Sequence, residues 1–247
     1  MTSNTSLRRT EILLASLWLL TAFGAIVGAL LMDSVLDAPD YLTIASSNSA
    51  TVIGGMLFWL GNDFGIVGIG LLMFPILKKQ DERLALTYLS MRLFEAIFLI
   101  IGVFFALLLI PLSQEFIKAG ATDMTMYQAI GAVLKQAQYW FMTPMQLIPL
   151  GLGGVTLTLF LYQTRLVPRF ISIIGLIGYG VLLPGAVLPL FGGLDMSTGS
   201  LGLLLVIPVA TFEIILMPIW LYTKGFNGSA NNSESSKSSA NLLLNAA

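Results

Sequence analysis

The sequence contains no cysteine and no histidine. Without cysteine, disulfides, thiolate metal sites and thiol redox switches are excluded. Without histidine, the chain lacks the usual ligands of zinc, haem and di-iron sites, and also the general base that most hydrolases use near neutral pH. These two absences restrict the chemistry to carboxylates, amides, hydroxyls and arginine, and they predict neither a metal site nor a cofactor.

Charged residues are also scarce. They make up 10% of the 247 residues, whereas soluble domains average about 25%. Hydrophobic residues account for 56%, and the mean hydropathy is +0.88. The net charge of −1 gives no reason to expect nucleic acid as a partner. The composition therefore predicts an integral membrane protein whose main partner is the lipid bilayer.

Long apolar runs are the dominant feature of the sequence. A hydrocarbon core about 30 Å thick needs roughly 20 apolar residues in a helix. The first run follows Arg8 and Arg9, and its roughly 21 apolar residues exceed the 7–15 of a signal peptide, so we expect a retained helix. The predicted fold is an all-α, polytopic membrane bundle of six transmembrane helices. The spans lie at about 12–32, 50–77, 84–112, 138–163, 169–190 and 201–223.

The lysines and arginines outside the spans gather on one side. Nine fall at the N-terminus, in the 78–83 turn, in the 164–168 turn with its neighbour, and in the C-terminal tail, against two on the other side. Basic residues mark the cytoplasmic side of a membrane, so we expect both termini to be cytoplasmic. The nine are Arg8, Arg9, Lys78, Lys79, Arg83, Arg165, Arg169, Lys224 and Lys237, and the two are Lys118 and Lys135.

The last 21 residues differ from the rest. The segment 227–247, "NGSANNSESSKSSANLLLNAA", is rich in serine and asparagine. Its apolar content is too low to order it as a packed element. We expect a transmembrane domain over 1–226 and a disordered cytoplasmic tail over 227–247.

Four charged residues fall well inside the predicted spans: Asp63, Arg92, Glu95 and Glu213. At about 1.5 Å of helix rise per residue, they come to one layer between the cytoplasmic interface and the midplane. A charge near the centre of a membrane helix costs about 2.5–3.5 kcal/mol on the insertion scale, so we expect these side chains to face inward and meet.

Arg92 and Glu95 are three residues apart and can pair on one helix face. Asp63 and Glu213 are then left without a cation of their own, so the cluster has a charge of −2 when every group is ionised. Asn62 lies beside Asp63, and Gln146 adds an amide in the fourth span. The predicted ligand-binding residues are Arg92, Glu95, Glu213, Asp63, Asn62 and Gln146.

Three functions remain open at this point. A polar pocket could bind or transport a small molecule or a cation. Alternatively, the charges could only hold helices together in a structural or interaction protein. The third alternative is an intramembrane enzyme that uses Glu95 and Glu213 as acid and base. A homo-oligomer is compatible with all three.

Aromatic residues lie mostly near the span ends. We expect Tyr88 and the others there to form the belt typical of membrane–water interfaces. Trp59 lies deeper, where core packing explains it better than a binding role. The residues concerned are Trp59, Tyr88, Tyr139, Trp140, Trp220 and Tyr222.

Three sequence blocks resemble a known family. "MRLFEAIF", "TRLVPRFISIIGLIGYG" and "FEIILMPIWLYTKGF" are similar, in this order, to blocks of the bacterial and archaeal domain of unknown function 4386 family. The resemblance spans about residues 8–226. It implies a six-helix protein of a prokaryotic plasma membrane and carries no catalytic roles, and Asp63 is not part of its pattern. The matching positions are Arg92, Glu95, Pro168, Arg169, Glu213, Trp220, Lys224 and Gly225.

Overall fold

The structure is a computed structural model, and it describes residues 2–120, 124–196 and 200–227. Every regular element in these ranges is helical, which confirms the all-α prediction. Six of the helical stretches are long and apolar enough to cross a membrane, so the predicted number of spans is confirmed as well. The predicted disordered tail lies almost entirely outside the described residues.

The first half of the chain forms long, continuous helices because no proline falls in the middle of its apolar runs. The longest helix has 38 residues and measures about 57 Å at 1.5 Å per residue, so it extends well beyond a bilayer core. The helices are α1 (Thr2–Leu36), the short α2 (Tyr41–Ile44), α3 (Ser49–Lys78) and α4 (Glu82–Ala119).

The second half is interrupted by prolines, each of which removes a backbone donor and crowds the preceding turn. Turns of π-helix and 3₁₀-helix therefore alternate with α-helix. The elements are α5 (Met124–Trp140), a first π segment (Phe141–Met145), α6 (Gln146–Thr164), α7 (Arg169–Val187), two 3₁₀ segments (Leu188–Phe191 and Leu201–Val206), α8 (Ile207–Ala210), a second π segment (Thr211–Leu216) and α9 (Met217–Thr223).

The helices form a closed ring. Along it, α1 packs on α3, α3 on α4, α4 on α6, and α6 on α7. The ring is completed by α8, which packs on α7, and by α9, which packs on α1. Side chains that point into this ring are shielded from lipid by neighbouring helices, so polar groups gather there at the lowest cost.

The start of α1 and residues 225–227 lie at the same end of the bundle. The carboxylate of Glu11 accepts a hydrogen bond of 2.7 Å from the backbone N–H of Phe226. Gly225 adopts a φ of 72°, and a Cβ at this position would overlap the Glu11 carboxylate, so only glycine fits the turn. The backbone N–H of Asn227 donates to the carbonyl of Leu166. The start of α1, residues 225–227 and the α6–α7 turn are thereby joined.

Candidate functional site

The centre of the site is one face of α4. Tyr88, Arg92 and Glu95 follow each other at spacings of four and three residues, which places them on the same side of the helix. The Arg92 side chain is 3% exposed and that of Glu95 is 5% exposed. Arg92 Nη1 donates to Glu95 Oε2 over 2.9 Å. The pairing predicted from the sequence is therefore confirmed.

Arg92 also binds a second carboxylate. Its Nη2 donates to Glu213 Oε1 over 2.6 Å, and its Nε donates to the Tyr88 hydroxyl over 3.1 Å. The planar guanidinium presents its donors in a fixed fork, which lets one side chain hold three partners at once. Glu213 therefore has no cation of its own, as the sequence predicted, and shares Arg92 with Glu95.

Tyr179 provides another hydrogen bond to the same carboxylate. Its hydroxyl donates to Glu213 Oε1 over 2.6 Å, so a neutral donor and a cation converge on one oxygen. The ring reaches this position because Gly154 of α6 lies directly against it. A Cβ on Gly154 would overlap the ring of Tyr179. Four sections of chain (α4, α6, α7 and the second π segment) thus position this carboxylate.

Glu213 lies in the second π segment, where the helix is locally wider than an α-helix. Pro218 follows one turn later and cannot donate a backbone hydrogen bond, which favours an irregular turn ahead of it. π-Helical turns inside membrane helices are often found at functional sites. The Glu213 side chain is 21% exposed, whereas its two ionic neighbours are almost fully buried. Of the three, Glu213 is therefore the most exposed.

A cavity of about 160 Å³ adjoins the cluster. It has room for about five waters at ~30 Å³ each, or for a ligand of a few heavy atoms. The indole N–H of Trp18 is buried in its wall and has no hydrogen-bond partner among the described residues. The side chains of a tryptophan, an asparagine, an arginine and two glutamates therefore border one small space. The polar residues of its wall include Trp18, Asn62, Arg92, Glu95 and Glu213.

Asp63 lies beside this cavity and not in its wall. Asn62 Nδ2 donates to Asp63 Oδ1 over 3.1 Å, and Asn62 itself lines the cavity. The other Asp63 oxygen is buried and has no partner in the described part of the chain. A buried carboxylate oxygen without a partner is costly, which makes Asp63 the least satisfied of the four charged groups inside the predicted spans. Its membership of the site stays a prediction.

Gln146 lines a different cavity. This second cavity, of about 330 Å³, lies nearer the opposite end of the bundle from the termini. The structure thus brings Arg92, Glu95 and Glu213 into direct contact and places Asn62 on the adjoining cavity. It does not bring Gln146 to the same place, because the first π segment and α6 turn that amide toward the larger cavity.

Sequence reasoning missed three residues of the site. Tyr88 was expected in an interfacial belt, but its side chain is completely buried against Arg92, so that expectation was wrong. Its position four residues before Arg92 was the signal that could have placed it on the same helix face. Trp18 and Tyr179 carry no such signal, since nothing near them in the chain marks them as polar partners.

The comparison with protein families bears directly on these residues. A model described as Domain of unknown function (DUF4386) matches residues 13–225. The chain belongs to this family. The DUF4386 match includes all the residues of the Arg92 cluster and both cavities, and it confirms the resemblance seen in the three sequence blocks. No curated protein and no solved structure matches the chain.

Proposed function

We propose that this DUF4386 protein binds and transports a small molecule or an ion, and that Arg92, Glu95 and Glu213 form its site. The observation that carries the proposal is one buried guanidinium shared by two carboxylates beside a cavity of about 160 Å³. Ionisable groups inside a membrane protein most often mark a path for substrate, ion or proton.

The charges favour a cationic ligand or a proton. With every group ionised, one arginine and two glutamates carry a net charge of −1, which is costly where water is excluded. A proton or a small cation in the adjoining cavity balances that charge. Among the described residues, no three carboxylates converge as a metal-binding group, which favours a monovalent species over a divalent metal.

The structural alternative also has an observation in its favour. The Arg92 cluster links α4 to the second π segment, and Tyr179 extends the network to α7. Such a network could serve only to hold these helices in register. The enzymatic alternative is weaker, because Arg92 separates the two glutamates and holds each by its own hydrogen bond, so they do not form an acid–base pair.

A flux measurement in liposomes tests the proposal. We expect the parent protein to accelerate the movement of protons, sodium or potassium into liposomes under an imposed membrane potential, as followed by dyes inside them. Glu213→Gln should lower that rate by about tenfold or more, since it loses charge-assisted hydrogen bonds of about 1.5–3 kcal/mol.

Glu115→Gln is the matched control, because Glu115 is exposed and forms an ion pair with the exposed Lys118. Its rate should equal that of the parent. If the parent protein moves none of these ions faster than protein-free liposomes do, the structural alternative is favoured instead.

We further propose that the termini face the cytoplasm of a prokaryotic cell, with the plasma membrane as the location. The support is the nine-to-two distribution of basic residues together with the contact between the start of α1 and residues 225–227. Since the chain has no cysteine, a single cysteine can report on its position. In intact cells, an impermeant thiol reagent should label Asp40→Cys and spare Gln80→Cys. The opposite pattern would reverse the orientation.

A further inference from the structure

The ring of helices is completed where the first span meets the last. This contact between α1 and residues 206–223 is here called the lateral seam. At the end of the bundle where Phe226 binds Glu11, α9 packs on α1 and polar contacts join the two helices. Arg8 Nη1 donates to the carbonyl of Leu221 over 2.6 Å, and the hydroxyls of Ser16 and Tyr222 lie 2.8 Å apart. The lateral seam is therefore closed at this end.

Burial along the seam falls with distance from α9. Ala15, Ala22 and Ile26 share one side of α1, because their spacings of seven and eleven residues correspond to about two and three helical turns. Ala15 is completely buried, Ala22 is half-buried, and Ile26 is 55% exposed. In the last span, Leu221 is completely buried, whereas Ile214 is half-buried. The two spans thus cover each other less as they run away from α9.

The cavity of about 160 Å³ lies along this looser part of the seam. Its wall includes residues 18–25 of α1 and residues 206–214 of the last span. Ala22, Ala210 and Ile214 belong to that wall and are themselves half-buried. Glu213 borders the same cavity, and its side chain is 21% exposed. The seam therefore places a carboxylate beside a part of the bundle that its neighbours cover incompletely.

The charges at this place favour a positive group. Arg92 and Tyr179 both donate to Oε1 of Glu213, so these two hydrogen bonds leave Oε2 for another donor. With every group ionised, Arg92, Glu95 and Glu213 carry a net charge of −1, which attracts a cation and repels an anionic head group. Trp18 also borders the cavity, and indole rings attract ammonium ions.

We propose that the Arg92 site takes the ammonium head of a single-chain amine that is dissolved in the membrane, and that this amine enters through the lateral seam. The cavity has room for about five waters at ~30 Å³ each, which is enough for the head and a few methylene groups. The rest of the chain lies in the seam and in the lipid. This inference rests on the proposed function, whose site it keeps and whose ligand class it names.

Photoaffinity labelling of the full chain in phosphatidylcholine nanodiscs tests the inference. The probe is n-dodecylammonium with a diazirine in its chain beside the head group, and the labelled residues are mapped by mass spectrometry. We expect saturable labelling of residues 18–25 and 206–214, which excess n-dodecylammonium prevents. Glu213→Gln should lower this labelling by about tenfold or more, because the head group loses its charged acceptor. Glu115→Gln, the exposed control, should be labelled like the parent.

Two further variants test the seam with the charges intact. Ala22→Phe places a large side chain at the seam and should lower the labelling by about tenfold, because the amine then lacks space. Leu20→Phe is the matched control, since Leu20 lies on the same helix but is 60% exposed, outside the cavity wall. It should be labelled like the parent. Ala210→Phe makes the same change from the last span in case Ala22→Phe fails to fold. Unchanged labelling in both alanine variants overturns the seam route.

The competing ligands distinguish recognition of a membrane amine from simpler explanations. n-Butylammonium has the same head but stays mainly in water, and n-dodecanol has the same chain without the charge. If either prevents labelling as well as n-dodecylammonium does at equal concentration, the proposed ligand class is wrong. Labelling that is confined to lipid-facing positions such as Leu20, and is equal in Glu213→Gln, shows only partitioning into lipid and also overturns the inference.

The liposome assay separates this inference from the proposed function. If the protein moves protons, sodium or potassium through a Glu213-dependent route but shows no Glu213-dependent labelling, the membrane amine is refuted and the proposed function stands. If labelling depends on Glu213 in a protein that moves none of these ions, the amine site at the seam is supported and transport of those ions is refuted.

Discussion

Replacing Arg92 with alanine should lower the free energy of unfolding by about 3–5 kcal/mol, the range observed when one partner of a buried ion pair is removed. The change leaves Glu95 and Glu213 in the bundle interior without their common cation, and the Tyr88 hydroxyl loses its donor. Unfolding of the purified protein, titrated with denaturing detergent in mixed micelles and followed by circular dichroism, measures the loss.

Arg83→Ala is the control for this experiment. Arg83 lies near the start of the same helix but is exposed, so its removal should change stability by no more than about 0.5 kcal/mol. The triple change Arg92→Leu, Glu95→Leu and Glu213→Leu removes the whole buried charge set. It should recover most of the stability while ion flux stays absent. An Arg92→Ala protein as stable as Arg83→Ala would contradict the buried network.

Gly154→Ala should also cost stability, by about 1–3 kcal/mol, the usual range for overpacking in a well-packed interior. The new methyl group meets the ring of Tyr179, which is completely buried and cannot move away freely. Displacing this ring also draws its hydroxyl away from Glu213. We therefore expect the same variant to lose ion flux, measured in the liposome assay, along with stability.

Gly180→Ala should change the stability in the opposite direction to Gly154→Ala. Gly180 lies in the interior of α7, and no heavy atom lies within 4 Å of the position that its Cβ would occupy. Alanine should therefore stabilise the protein slightly, by about 0.5–1 kcal/mol, because glycine loses more conformational freedom on folding. If the two variants were equally stable, the close contact between α6 and Tyr179 would carry no energetic weight.

The spans and the Arg92–Glu95 pair follow from local rules. A run of about 20 apolar residues must cross the bilayer as a helix wherever it lies in the chain, so the six helices could be predicted without knowing how they pack. Arg92 and Glu95 are three residues apart, and helix geometry alone brings them together. The depth of the charged residues in the membrane is likewise calculated from the rise per residue along each helix.

The partners of Glu213 depend on packing. Arg92 and Glu213 are 121 residues apart, and whether they meet depends on how each helix is rotated about its own axis. That rotation is set by neighbours, such as the close approach of Gly154 to Tyr179, and by the second π segment, which shifts the phase of every later side chain. Neither the rotation of a helix about its axis nor the phase shift after a π-helical turn can be read from composition or periodicity.

Gln146 and Tyr88 show the same limit of prediction from sequence. A count of residues along the helix gives the depth of each side chain but not the direction in which it points. Gln146 therefore faces the larger cavity, and Tyr88 is buried at Arg92, although its depth matched an interfacial belt. A six-helix membrane bundle with buried charges at one depth follows from the apolar runs and the helix rise alone. Which of those charges share a partner depends on the tertiary fold, because side-chain direction arises from helix packing.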